Sequence, residues 1–182
     1  MRKRRIKFKA RFLVILAVFV VLGIGVLVGI QTHGETTKTS ESVGAIADMP
    51  KQKDYLLDIP LSHELQDELY EASEEFGVDY YVMVALIDRE TNFQNVTGDN
   101  GNSFGYCQIQ PKWWYGLMLE IGATNLSVPR DNFRAGCAII AQLQEEYHSI
   151  EGALVAYSQG DYKGSSTPYS KEIIANAKRY KA

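Results

Sequence analysis

An uncharged apolar run of nineteen residues near the amino terminus constrains this chain more than any other feature. It reads FLVILAVFVVLGIGVLVGI and extends from residue 12 to residue 30. As a helix it would be about 28 Å long at ~1.5 Å per residue, close to the ~30 Å hydrocarbon core of a bilayer. A buried core helix explains the run less well, because no face of it is polar. The run therefore predicts one transmembrane helix.

The residues on either side of the run separate an anchor from a cleaved signal peptide. A signal peptide has an apolar region of roughly 7–15 residues that ends in a small-x-small cleavage site. Here the run is longer and Gln31-Thr32-His33 follows it, so we favour an uncleaved anchor. Residues 1–11 carry seven basic side chains and no acidic one. The positive-inside tendency keeps this segment in the cytoplasm and predicts that everything after residue 30 is exported.

The rest of the chain is acidic. The 182 residues hold 19 basic and 22 acidic side chains, so removal of the seven amino-terminal basic residues leaves 12 against 22, a net charge of −10. An acidic domain is not expected to have nucleic acid as its main partner. The basic residues at 1–11 are better explained as a signal that sets membrane orientation. The three histidines and two cysteines lie far apart, without metal-ligand spacing. Neither a metal nor another cofactor is predicted.

Composition divides the exported part of the chain in two. Residues 31–54 are rich in Thr, Ser, Gly, Glu and Lys without a helical or strand period, which predicts a flexible tether. The typical reach of such a tether is about 27 Å, so a domain at its end would work close to the membrane. Residues 55–182 are the predicted folded domain, which is long enough to bury a substantial core.

The folded domain has a mostly helical pattern. Ser62 and Gly77 are expected to begin and end a first helix, and Asp79 to cap a second, YYVMVALIDRE. A loop rich in Asn, Gly and Asp follows, and SFGYCQIQ then predicts a short strand or extended turn that ends at Pro111. Asp131 is expected to cap a third helix, and IEGALVAYSQG and YSKEIIANAKRYKA predict two more. The expected third helix has an apolar stripe formed by Phe133, Cys137, Ile140 and Ala141.

Glu90 is the strongest catalytic candidate. It lies at the end of the second predicted helix, just before the Gly- and Asn-rich loop, with Phe93 nearby. The negative end of the helix dipole and partial desolvation both favour the neutral acid, so we expect a raised pKa. A carboxylic acid held protonated near neutral pH can donate the proton that a glycosidic oxygen needs. A glutamate at a helix end is more often a solvated surface residue, so its neighbours must support the assignment.

Three segments, in order, carry a family resemblance: ALIDRETNF, GDNGNSFGYCQIQP and ALVAYSQG. They resemble the signatures of soluble-type lytic transglycosylases, which share the lysozyme-like fold with goose-type lysozyme. Those signatures are a catalytic Glu usually followed by Ser, a Gly-Leu-Met-Gln stretch ending in Ile-x-Pro, and Ala-Tyr-Asn-x-Gly. The resemblance covers about residues 62–180. It implies a mainly α (α+β lysozyme-like) fold and peptidoglycan glycan strands as the substrate.

The first two motifs carry over residue by residue. The resemblance implies that Glu90 is the catalytic acid and base, and Thr91 stands where Ser is usual. Gly105 and Gln108 match the Gly and Gln of the second motif, while Tyr-Cys at 106–107 replaces Leu-Met. Thr91 keeps the hydroxyl that a serine would supply.

In the third motif, Tyr157 matches the family tyrosine and Ser158 stands where Asn is usual. Ser158 lacks the amide that helps to place a sugar, and Gln159 is a candidate to compensate. The candidate substrate-binding residues are Thr91, Ser103, Gly105, Tyr106, Gln108, Tyr157, Ser158 and Gln159.

Aromatic and polar residues around the second motif suit a sugar cleft. An alternating strand would place Tyr106, Gln108 and Gln110 on one face and the residues between them on the other. The alternative is a solvated edge strand. Trp113 and Trp114 either stack on sugar rings or fill the core, and we expect a structural role for at least one of them.

The resemblance implies cleavage between N-acetylmuramic acid and N-acetylglucosamine, with Glu90 as acid and then base and a 1,6-anhydro product. This route explains why one carboxylate can suffice where ordinary glycosidases use two. Asp88 faces elsewhere on its helix, and Asp99 is an auxiliary candidate. Two alternatives stay open: a muramidase that hydrolyses the same bond with water, and a non-catalytic glycan-binding scaffold module. Residues 12–30 would contact the membrane, and an anchored enzyme is compatible with a secretion or conjugation apparatus as partner.

Cys107 and Cys137 are the only cysteines of the chain. Export makes a disulfide chemically possible, and an even count is consistent with one. Both side chains are expected to point inward, where a free cysteine behaves as a small hydrophobe. The family usually places methionine at position 107, which needs no partner. We therefore favour two reduced, buried thiols over a bridge.

Overall fold

The computed structural model describes residues 53–182 of the chain, which form six α-helices and one short β-hairpin. The hairpin strands β1 (Thr97–Gly98) and β2 (Ser103–Phe104) are antiparallel, with Thr97 opposite Phe104, and a 3₁₀ turn (Asp99–Gly101) joins them. The helices are α1 (His63–Phe76), α2 (Tyr80–Thr91), α3 (Pro111–Glu120), α4 (Pro129–Tyr147), α5 (Ile150–Gln159) and α6 (Pro168–Tyr180). The predicted mainly α class with one small β element is confirmed for these residues.

No helix within residues 53–182 combines the length and apolar character needed to cross a bilayer. The predicted anchor at residues 12–30, the basic segment 1–11 and nearly all of the tether 31–54 lie outside the described residues. They therefore stay predictions. Lys53, which we placed in the tether, pairs with Asp67 of α1 at 2.6 Å.

The predicted start and end of α1 and the predicted start of α2 are confirmed. The Ser62 hydroxyl accepts a hydrogen bond from the Leu65 N–H, and Gly77 ends α1 with a φ of +66°. The Asp79 carboxylate accepts the N–H groups of Tyr81 and Val82. Each cap satisfies backbone donors that the first helical turn leaves free. Local capping chemistry thus sets where α2 begins, and so places Glu90 near its end.

Two helix starts differ from the prediction. Asp131 does not cap α4, because Pro129 occupies the first turn and Val128 is the N-cap. Proline is favoured there, since the N–H it lacks would have no intrahelical partner. The Asp131 carboxylate instead accepts the Asn125 N–H at 2.8 Å. Helix α3 was not predicted, and Pro111, expected to end the β element, begins this helix.

The segment SFGYCQIQ contains the short strand β2 and a tight turn after it, so the predicted short strand or extended turn is confirmed but the alternation of its side chains is not. Phe104 and Ile109 exchange backbone N–H to carbonyl hydrogen bonds of 3.0 Å in both directions. Between them, Gly105 has a φ of +72° and Gln108 a φ of +50°. Left-handed backbone at two positions reverses the chain and removes the alternation of side chains.

The predicted shared polar face of Tyr106, Gln108 and Gln110 is therefore wrong. Tyr106 is 8% exposed, and its ring lies against Phe133 with the ring centroids 5.1 Å apart. The Gln108 carboxamide turns back onto two backbone carbonyls of the hairpin at 3.0 and 2.8 Å. These residues stabilise the turn from within.

The core lies where α4 packs between α1 and α5, and α2 packs on α6. The predicted stripe on α4 is confirmed at Phe133, Cys137 and Ile140, which are fully buried, while Ala141 is half-buried. Burying a large apolar side chain contributes roughly 1.5–3 kcal/mol. The stripe therefore fixes α4, which supports the turn at residues 105–108.

Cys107 and Cys137 are free thiols, both fully buried. Burial raises the pKa of Cys137 to about 12 and that of Cys107 well above its usual value, so little thiolate forms at neutral pH. We expect an alkylating reagent to leave the native protein unlabelled and to label both cysteines after denaturation without reductant. Mass spectrometry counts the labels. Labelling that requires prior reduction would instead indicate a disulfide.

Candidate active site

Glu90 lies near the carboxyl end of α2, half-buried, with its carboxyl group held by another helix. The Tyr169 hydroxyl of α6 donates a hydrogen bond to Glu90 Oε1. Burial raises the pKa of Glu90, and this outweighs the Tyr169 hydrogen bond and the Arg89 charge, which both lower it. The predicted direction of the pKa shift is confirmed, with burial as its main cause.

Arg89 links the end of α2 to the same face of α6. Its Nε atom lies 3.0 Å from Glu172 Oε2, and its guanidinium carbon lies 5.7 Å from the centroid of the Tyr169 ring. Tyr169 and Glu172 are three residues apart on α6, so their side chains project from one side of the helix. Arg89 therefore joins the end of α2 to α6 through an exposed ion pair.

Sequence reasoning missed Tyr169. Its hydrogen bond to Glu90 spans 79 residues of chain. Tyr169 stands beside Pro168 at the start of α6, and neither residue carries a local sign of a distant partner. Only the packing of α6 against α2 identifies it.

Thr91 ties the end of α2 to the turn at residues 105–108. Its Oγ1 atom lies 3.1 Å from the Ile87 carbonyl oxygen and 3.1 Å from the Tyr106 carbonyl oxygen. The hydroxyl therefore donates to backbone within the protein. Its contact with Tyr106 fixes the turn beside Glu90.

Asn132 of α4 organises the same turn and was also missed. Its Oδ1 atom accepts the Cys107 N–H at 2.8 Å, and its Nδ2 donates to the carbonyls of Phe104 and Leu126 at 2.9 and 3.1 Å. The side chain is fully buried, so these bonds compensate for its removal from water. A polar amide beside Phe133 in the predicted apolar stripe was the available signal.

The third motif contacts the turn through Tyr157. The Tyr157 hydroxyl donates to the Cys107 carbonyl at 2.5 Å, and burial raises the pKa of this phenol well above its usual value. Ser158 and Gln159 are exposed at the end of α5, and the Ser158 hydroxyl donates to the Val155 carbonyl at 3.1 Å. Tyr157 is thus part of the turn's support, whereas the two residues after it face solvent.

The remaining predicted residues lie around the hairpin. Gly105 is buried at its positive φ, and the buried Ser103 hydroxyl lies 3.2 Å from the Gln110 Nε2 atom. The structure therefore brings Thr91, Gly105, Tyr106, Gln108 and Tyr157 together at one turn next to Glu90. Direct contact of any of them with substrate stays a prediction.

Neither nearby aspartate is bonded to Glu90. Asp88 accepts a hydrogen bond from the Tyr180 hydroxyl at 2.8 Å, and Asp99 accepts one from Gln110 at 2.9 Å. Within residues 53–182, no group of three or more His, Cys, Asp or Glu side chains is close enough to hold a metal ion. The described chemistry therefore centres on one carboxyl group.

A mainly helical domain with a short β-hairpin, and a half-buried glutamic acid at the end of a helix, agrees with the lysozyme-like fold that the sequence motifs imply. A family model described as the Transglycosylase SLT domain matches residues 68–172, a range that contains all three sequence motifs and Tyr169. The chain belongs to this family, the lytic transglycosylase domain of the lysozyme-like superfamily. Membership confirms the family resemblance and supports glycan cleavage as the general function.

Proposed function

We propose that this chain is a membrane-anchored lytic transglycosylase that cleaves the β-1,4 bond between N-acetylmuramic acid and N-acetylglucosamine in peptidoglycan. The carboxyl group of Glu90, half-buried and with a raised pKa, is the observation that carries the proposal. Tyr169 donates to Oε1. With Oε1 engaged by Tyr169, Oε2 is the oxygen from which we propose that the acidic proton is delivered to the substrate.

Glu90 acts first as the acid. It protonates the glycosidic oxygen while the bond to the muramoyl C1 breaks, so that N-acetylglucosamine leaves as an alcohol and positive charge develops at C1. The resulting Glu90 carboxylate then takes the proton of the muramoyl 6-hydroxyl. The O6 atom bonds to C1, which closes the 1,6-anhydro ring and restores the acid without consuming water.

The lytic route is preferred over hydrolysis because the described site supplies one carboxyl group. Most glycoside hydrolases use a second carboxylate as base or nucleophile. Asp88 and Asp99, the nearest carboxylates in sequence, are bonded to Tyr180 and Gln110. An enzyme whose acid also serves as the base needs neither.

Mass spectrometry of digested peptidoglycan tests the proposal directly. We expect muropeptides with 1,6-anhydro ends, each lighter than the hydrolysed product by one water. Reducing ends would instead identify a muramidase. Binding to glycan strands without any cleavage product would identify a scaffold module.

Activity is expected to fall as the pH rises through the raised pKa of Glu90, because only the protonated carboxyl group can act as the acid. Tyr169→Phe removes a donor that stabilises the ionised carboxylate. The pKa should then rise further, and the alkaline limb of the activity profile should move to higher pH. Tyr180→Phe, which removes a phenol bonded to Asp88, is the matched control. A limb that shifts to lower pH in Tyr169→Phe, or equally in both variants, would contradict this role.

Membrane anchoring rests on the apolar run at residues 12–30 and the basic segment before it. We expect protease added to intact protoplasts to digest the domain at residues 55–182 and to spare residues 1–11. Antibodies against each end would follow the two parts. A soluble mature form that begins after residue 30 would show that the segment is a cleaved signal peptide.

A further inference from the structure

Trp113 is 67% exposed on α3, the most exposed of the large hydrophobic side chains among residues 53–182. Its ring nevertheless has two contacts with polar neighbours. The indole Nε1 donates a hydrogen bond to Gln110 Oε1 at 3.1 Å, and the Lys112 ammonium lies 5.0 Å from the ring centroid. Trp114 beside it packs against the core. A ligand that covered this ring would gain the free energy that burial of an aromatic side chain contributes.

The hydrogen bonds of Trp113 continue into the β-hairpin. Gln110 Nε2 donates to Asp99 Oδ2 at 2.9 Å and lies 3.2 Å from the Ser103 hydroxyl. Asp99 follows β1 and Ser103 begins β2. A chain of polar groups therefore connects the indole to the hairpin.

The chemistry around the ring fits a saccharide. A pyranose presents C–H groups on its faces, which pack on an aromatic ring, and hydroxyl and acetamido groups at its edge, which need polar partners. Trp113 supplies the ring, Gln110 and Lys112 supply an amide and an ammonium group beside it, and Asp99 supplies a carboxylate bonded to Gln110. A lipid surface or an apolar peptide would require a continuous apolar patch instead.

The hairpin that is connected to Trp113 also leads to Glu90. The turn that follows β2 accepts hydrogen bonds from Thr91, the neighbour of Glu90, and from Tyr157. Gln110 and then α3 follow this turn directly. One continuous segment, residues 97–113, therefore carries both the turn beside Glu90 and the indole of Trp113.

We propose that Trp113 is a stacking platform for a sugar ring of the glycan strand, away from the bond that Glu90 cleaves. The inference rests on the proposed function for the identity of the strand. Trp113 then contributes to the affinity for long strands and leaves the chemical step unchanged. A strand too short to reach from Glu90 to Trp113 gains nothing from the ring.

Calorimetric titration of the Glu90→Gln protein with purified peptidoglycan glycan strands tests the platform, because this background binds without cleaving. We expect Trp113→Ala in that background to weaken binding of strands of several disaccharides roughly tenfold and to leave binding of a single disaccharide unchanged. Tyr115→Ala is the matched control. It removes an aromatic ring that is 62% exposed on the same helix and lines a groove, with Pro111 and Met118, to which Trp113 does not contribute, so affinity should not change.

Every other outcome overturns the platform. The platform is wrong if Glu90→Gln and the double variant Glu90→Gln, Trp113→Ala bind long strands with equal affinity. It is also wrong if Trp113→Ala weakens the binding of long strands and of the disaccharide equally. An equal loss in Tyr115→Ala would overturn it as well, because that result would indicate a general apolar surface. If Trp113→Ala instead abolishes sedimentation with anionic phospholipid vesicles and leaves glycan binding intact, the ring contacts membrane. Circular dichroism and thermal unfolding of each variant confirm that it is folded.

The platform and the proposed function can fail separately. Cleavage of long strands by Trp113→Ala in the otherwise unchanged protein should show a raised KM with an unchanged kcat. If the unchanged protein cleaves no strand of any length, the proposed function is wrong, and the calorimetric comparison still tests the platform. If cleavage is normal and the two affinities are equal, only the platform is wrong.

Discussion

The Glu90→Gln variant is expected to cleave peptidoglycan at no more than about a thousandth of the normal rate while keeping its fold. Positioned proton transfer contributes about 10²–10⁴-fold to a rate, and here one group performs it twice. The amide has nearly the shape of the acid, and its oxygen can still accept the Tyr169 hydrogen bond. The decrease in turbidity of purified cell-wall suspensions measures the rate of cleavage, and thermal unfolding shows whether the variant is folded.

Glu172→Gln is the matched control for that experiment. It removes a carboxylate from the ion pair with Arg89, the neighbour of Glu90, but its side chain is 51% exposed. Exposed ion pairs contribute little, so cleavage should stay within about threefold of the unchanged protein. A Glu90→Gln protein that clears cell walls at the normal rate would remove Glu90 from the mechanism. An equal loss in both variants would point to disturbed packing of α6 instead.

Gly105→Ala is expected to lower the free energy of unfolding by about 3 kcal/mol or more, the largest effect on stability that we anticipate. A Cβ atom at Gly105 would lie 2.1 Å from Asn132 Nδ2, 2.4 Å from Asn132 Cγ and 2.7 Å from the Leu126 carbonyl oxygen. Asn132 cannot move away without loss, because its amide is hydrogen-bonded to the Cys107 N–H and to the carbonyls of Phe104 and Leu126. Displacing it would leave buried polar groups without partners.

Gly122→Ala separates this clash from the cost of a left-handed backbone. Gly122 has a φ of +69°, almost that of Gly105, but a Cβ atom there would meet nothing within 4 Å. Its substitution should cost only the conformational term, about 1 kcal/mol. Urea unfolding of the two variants gives the difference. Equal losses of stability would show that the turn adapts to the methyl group and that Asn132 is not a rigid support.

Features with local causes could be predicted from the sequence. Ser62, Gly77 and Asp79 act on backbone groups within a few residues, so their roles were visible in the chain itself. The buried stripe on α4 follows from helical spacing alone. Glu90 was identified by a motif at the end of a predicted helix, and its burial agrees with that assignment.

Features that depend on distant packing could not be predicted. The turn at residues 105–108 has left-handed backbone at Gln108, which a strand pattern does not reveal. Helix α3 is not predicted from the sequence, because Pro111 is interpreted there as the end of a short strand or extended turn, although proline also begins helices. Asn132 and Tyr169 acquire their roles from groups that lie 25 and 79 residues away.

The hydrogen bond from Tyr169 to Glu90 also has a temporal consequence. Glu90 is synthesised 79 residues before Tyr169, so its carboxyl group lacks this partner until α6 has formed and docked on α2. The surroundings that set the pKa of this carboxyl group are therefore completed late in maturation. A fragment that stops before α6 would carry every motif residue, but its Glu90 would lack the Tyr169 hydrogen bond.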